Sequence, residues 1–141
     1  MKNPMKRATL PLLLLFLAAT GCASAKARSS EEIFADFLRV SKMPLTTVED
    51  GWVASRITDE LTSAHALDRM SRLEVMHAIG RGDDCVNHRD CGEHGFLDND
   101  WHYTVGQVTA DFPGTVPVLI VGFDRFGDVD RVWNLRTHSS P

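Results

Sequence analysis

"VPVLIVGFDRFGDVDRVWNLR", residues 116–136, decides the fold. Val116, Val118, Leu119, Ile120 and Val121 form a nearly continuous apolar run, "RFG" is a tight connection with Gly127 placed for a positive φ, and "DVDRVWNLR" returns as a second strand. This is a β-hairpin turning between Phe123 and Val129. Upstream, "DNDWHYTVGQVT" (98–109) follows turn residues and alternates: Trp101, Tyr103 and Val105 fall on one face, His102, Thr104 and Gly106 on the other. "DFPGT" (111–115) separates it from the hairpin. The three runs predict an antiparallel meander over roughly residues 101–109, 116–124 and 129–135.

An antiparallel sheet with one wet face shows alternation, whereas the middle run here is apolar on both sides. Its second face therefore calls for a cover. The candidates are a partner, a lipid surface, the N-terminal helix, or shielding by large neighbours such as Trp101, Tyr103 and Trp133.

The first half of the chain has helical periodicity. In "SSEEIFADFLRVSKMP" (29–44), Ser29 and Glu32 stand at capping-box spacing, Ile33, Phe34, Phe37 and Leu38 recur at helical intervals, and Pro44 ends the pattern. A helix over about 31–42 follows, its aromatic stripe read as core, with a partner-docking helix as the alternative. Val53, Ile57 and Leu61, followed by Ala64 and Leu67, predict a second helix over part of 47–68, capped by Thr46 and Glu49. A short strand at "WVASRI" is the competing reading. Ser71 and Glu74 form another capping box, Val75, Met76 and Ile79 an apolar face, and Gly80 a C-cap, giving a helix over 72–79. The expected fold is α+β in two layers, N-terminal helices packed on a three-stranded meander, in a single domain over 31–141.

Between helix and sheet lies "DDCVNHRDCGEH" (83–94), with Cys85, His88, Cys91 and His94 at every third position. Its chemistry depends on the compartment. The chain opens with Lys2, Lys6 and Arg7, continues through an apolar run from Leu10 to Ala19, and reaches small residues around Cys22, the layout of a secretory signal. The run is far shorter than the ~20 residues a spanning helix needs. Ala19-Thr20-Gly21-Cys22 reads as a lipobox, making 1–21 a signal peptide and Cys22 the lipidated first residue, with 22–30 as a short tether. Ala23-Ser24-Ala25 offers ordinary cleavage and a soluble product instead.

With Cys22 given to lipid, Cys85 and Cys91 remain as a pair in an exported chain, which favours one disulfide. A zinc site made of Cys85, His88, Cys91 and His94 is the alternative, although familiar zinc modules separate two ligand pairs by a longer spacer. Under the disulfide reading, His88 and His94 are exposed loop residues.

Loss of the three leader cations takes the net charge from −4 to about −7, which argues against nucleic acid as a partner. The chain has no phosphate-binding Gly-rich loop, no Gly-x-Ser-x-Gly elbow and no His-Glu-x-x-His helix. Ser63 and His65 are read as surface helix residues. The carboxylates Asp83, Asp84, Asp90, Asp98, Asp100, Asp124, Asp128 and Asp130 do not follow the EF-hand spacing. No enzyme activity and no cofactor are expected.

"MSRLEVMHAIGRGDD", "DWHYTV" and "VLIVGFDRFGDVDRVW" together resemble the SmpA/OmlA lipoprotein family and the wider superfamily of β-lactamase-inhibitory proteins. Met70, Ser71, Val75, Gly80, Trp101, Tyr103, Phe123, Asp124, Gly127 and Val129 carry the resemblance, over about residues 61–135. Arg69 stands where that family commonly has Gly, no Pro follows Gly80, and 30–60 has no counterpart. The cysteine pair is similar to the inhibitor branch, where a disulfide ties the corresponding loop. The resemblance implies a two-layer α+β fold and a role through protein contact, among SmpA/OmlA proteins as an accessory to outer-membrane β-barrel assembly. The expectation is thus an outer-membrane lipoprotein facing the periplasm, anchored through Cys22 (lipid including palmitate), contacting envelope proteins through Trp101, Tyr103, Phe126 and Trp133. An inhibitor or binding protein for a soluble periplasmic enzyme is the alternative, and a zinc-loop protein a third reading.

Overall fold

The computed structural model describes residues 26–135 and the backbone of 138 and 139. The signal segment, Cys22 and the first part of the tether lie outside the described residues. In chain order the elements are α1 (Ser30–Ser41), β1 (Pro44–Leu45), α2 (Val48–Ser63), α3 (Arg72–Ile79), β2 (Asp83–Asp84), a 3₁₀ turn (Cys85–Asn87), α4 (Arg89–Glu93), β3 (Trp101–Thr104), β4 (Gln107–Val108), β5 (Val118–Phe123), β6 (Val129–Asn134) and β7 (His138–Ser139).

Each long helix starts at a reciprocal capping box, which satisfies two of the backbone donors that a helix start leaves free. The boxes are Ser29 with Glu32, Thr47 with Asp50, and Ser71 with Glu74. The second lies one residue later than Thr46 and Glu49, because the Asp50 carboxylate accepts from the backbone N–H of both Thr46 (3.0 Å) and Thr47 (2.8 Å). Gly80 closes α3 at φ +83, where a side chain would be strained.

The fold is α+β. The sheet has the antiparallel order β2-β3-β5-β6-β7, the meander β3-β5-β6 with a two-residue strand added at each edge. β3 stops at Thr104, and the Gln107–Val108 segment leaves the sheet to pair in parallel with β1. Gly106 turns the chain there at φ +105, with its α-carbon packed against the Leu45 side chain.

α1, α2 and α3 cover one face of the sheet. Ile33, Phe37, Val40, Ala54, Ile57, Leu61, Val75 and Ile79 meet Trp101, Tyr103, Val105, Leu119, Val121, Phe123 and Val132 in one buried cluster. Each large side chain fully buried there contributes about 1.5–3 kcal/mol. Phe37 and Tyr103 meet edge to face at 5.9 Å, and the Tyr103 hydroxyl donates to Gly80 O at 2.9 Å, tying α1, β3 and the end of α3 together. Burial raises the Tyr103 phenol pKa well above its ordinary value. Asn134, also buried, donates from Nδ2 to Thr58 O and Thr62 Oγ1, fastening β6 to α2.

The second face carries a layer of its own. Cys85, Cys91 and Phe96 pack on Ile120, flanked by Val118 and Trp133. The cover for the doubly apolar β5 is thus the cysteine segment itself. Trp101 and Tyr103, offered as shields of that face, lie on the helix side.

The tether reading also needs adjustment at its end. Arg28 bonds to Glu60 at 2.8 Å and pairs with Asp36, so the chain is pinned to α1 and α2 before Ser30. Among the described residues no helix is long and apolar enough to cross a membrane.

Candidate functional site

Among the described residues, the cysteine segment on the second sheet face and the end of the β5–β6 hairpin both carry groups that core packing alone does not require.

Cys85 and Cys91 are joined in a disulfide with Cα atoms 5.6 Å apart. The segment they close is ordered as a 3₁₀ turn followed by α4, where a loop is expected from Asn87, Asp90, Gly92 and Gly95. It is held from both ends. Asp84 pairs with Trp101, Cys85 N donates to Asp100 O and Val86 N to Asp98 O, while Arg131 donates to Gly95 O and lies over the Phe96 ring at 4.0 Å. Phe96 packs against the bare α-carbon of Gly122, where an added Cβ would stand 3.1 Å from the ring.

The disulfide removes both thiolates, so a zinc site built from Cys85, His88, Cys91 and His94 does not assemble. The two histidines part company. His94 stacks on Trp133 at 3.8 Å, whereas His88 turns inward and stacks on His102 at 3.7 Å with the rings 6° from parallel. His88 is therefore half-buried and not an exposed loop residue.

His102 reaches this face through strand alternation between the inward-facing Trp101 and Tyr103. It is 4% exposed. Its Nε2 lies 3.0 Å from Asp90 Oδ2, while Nδ1 is buried without a hydrogen-bond partner among the described residues. Burial lowers the His102 pKa below its ordinary value, and the Asp90 carboxylate only partly opposes this. His88, Asp90 and His102 each place a donor atom within 4.8 Å of the others, and Asp83 Oδ2 lies 3.5 Å from His88 Nε2. Sequence reading passed over His102 and gave Asp90 no specific role. The available signal was parity, since an imidazole between Trp101 and Tyr103 must face the side opposite the helices.

At the hairpin end, Asp124 organises the turn. Its Oδ1 accepts from Phe126 N (2.8 Å) and Asp128 N (3.1 Å), and Gly127 adopts φ +86. Arg72 N donates to Gly127 O, its Nη1 donates to Asn99 O, and its guanidinium lies 4.0 Å over the Phe123 ring. This rigid frame presents Phe126 at 74% exposure. Leu97, 63% exposed, lines the same groove with Arg72, Asn99 and Arg125, and Arg125 stacks over Phe126 at 4.6 Å.

Of the four side chains expected at an interface, only Phe126 is freely presented. Trp101 and Tyr103 are 6% and 8% exposed and serve the core, and Trp133 is partly covered by His94. Leu97 was not anticipated, because nothing local in "FLDND" distinguishes an exposed leucine from a buried one.

Fold and sites together define a small α+β domain whose sheet is covered by helices on one face and by a disulfide-closed segment on the other. Comparison with known protein families, curated proteins and solved structures finds no match for the chain.

Proposed function

We propose that this protein is an envelope lipoprotein that acts by protein contact, as an accessory or scaffold in outer-membrane β-barrel assembly or envelope maintenance, with the hairpin end as its contact surface. The observation that carries the reading is the presentation of Phe126. An aromatic side chain held on a turn fixed by Asp124 and Arg72, with Leu97 beside it, is the kind of preorganised anchor that dominates interface energies.

The test is co-purification from native membranes with Phe126→Asp and Leu97→Asp variants whose circular dichroism and melting match wild type. The expected result is loss of a membrane-protein partner that wild type retains. Recovery of the same proteins by both variants would discard this surface, and capture only of a soluble periplasmic enzyme would favour the inhibitor reading.

A further inference from the structure

The His88, Asp90 and His102 cluster plays no part in the hairpin surface, and its chemistry goes beyond packing. We propose that these three side chains form a binding site for a divalent transition ion of the zinc type, independent of the cysteine thiols. Two imidazole nitrogens and one carboxylate oxygen are a donor set that borderline divalent ions accept, with a further position left for water or for Asp83.

The elements place the donors for this task. His88 and Asp90 both lie between the joined cysteines, so the closed segment holds them over the sheet, and His102 rises from β3 within hydrogen-bond reach of Asp90. Both histidines must be neutral to act as ligands.

The stack sets the mechanism of entry. Imidazole lone pairs lie in the ring plane, and two rings only 6° from parallel at 3.7 Å direct their lone pairs side by side and not to a common point. One ring must turn for both to reach a single ion. His102 is fixed in the sheet at 4% exposure, whereas the His88 side chain is 25% exposed and borders an open cleft with Arg81, Asp83 and Asn87. His88 is therefore the gate. In the neutral His102 that donates to Asp90, the proton sits on Nε2. When the ion takes that position the proton moves to Nδ1, which has no acceptor among the described residues. Sites whose second nitrogen is held by a partner bind more tightly, so the affinity here falls below theirs.

The experiment is calorimetric titration of the untagged, disulfide-intact protein with Zn²⁺, alongside Co²⁺ absorption as a spectroscopic readout of nitrogen ligation. Wild type should bind one ion per chain. His88→Ala and Asp90→Asn alter partly exposed groups and should keep the fold, checked by melting. Each should weaken binding by at least about tenfold and remove the Co²⁺ band, since loss of a ligand costs no less than loss of an outer-shell partner. His94→Ala, in the same segment but stacked on Trp133, should bind as wild type does. An equal loss in His94→Ala, wild-type binding by His88→Ala, or no one-to-one binding by wild type would each overturn the site and leave the histidine pair as a packing stack.

Discussion

Asp100 shows how much of this fold rests on single polar side chains. It is 2% exposed, and its two carboxylate oxygens accept from Leu97 N at 2.8 Å and Phe123 N at 3.0 Å. One carboxylate thus closes the turn before β3 and joins it to the end of β5. Replacing it with Ala leaves two backbone donors without their acceptor, and hydrogen bonds to charged groups are each worth about 1.5–3 kcal/mol. Asp100→Ala is therefore expected to lower unfolding free energy by about 3 kcal/mol in urea denaturation. A loss under about 1 kcal/mol would mean that the turn is held by other contacts. Among the acidic residues of the sequence Asp100 carries no mark of this role, because its partners are backbone groups brought by the fold. Arg69 carries no such mark either. It adopts φ +62, in the left-handed region that glycine favours, although it carries a full side chain.

At the scale of elements, what could be read was what is local. The hairpin connection and the capping boxes at Ser29 and Ser71 depend on residues three or four apart, and Gly80 and Gly127 occupy the positive-φ positions their places in the sequence imply. The slip at α2 arose because two threonines precede two acids, and only the carboxylate's reach to both threonine N–H groups selects Asp50. The parallel β1–β4 pair and the edge strand β2 were not legible, since two-residue strands are defined by distant partners. Nor was the cover over β5, which requires Phe96 to meet Gly122 across the sheet. The α2 cap also gives a pH prediction. Donation from Thr46 N and then Thr47 N holds Asp50 at a pKa of about 2, against an ordinary 3.8. A depressed carboxyl pKa stabilises the folded state fully above the unfolded value and loses that contribution as pH falls through the folded one, here between about 4 and 2. The stability gap between wild type and Asp50→Asn should therefore narrow across that window, measured by urea midpoints at successive pH values. A gap that stays constant from neutral pH to below the window would show that Asp50 acts without its charge.

For the whole molecule, the organisation follows from a chain that supplies two covers for one sheet. The helices shield one face, and the disulfide holds a second, smaller layer on the other, so the apolar middle strand needs no partner to be buried. This changes where contact with other proteins is to be sought. The sheet faces are occupied, and the hairpin end presents Phe126 and Leu97 to solvent. The measurement that tests contact at this end most directly is photo-cross-linking in native cells. A photoreactive residue at position 126 is compared with one at Arg89, an exposed position on the cysteine segment. Contact through the hairpin predicts a discrete adduct with a membrane protein from position 126 and none from position 89. No adduct at 126, or the same adducts from both positions, would contradict it.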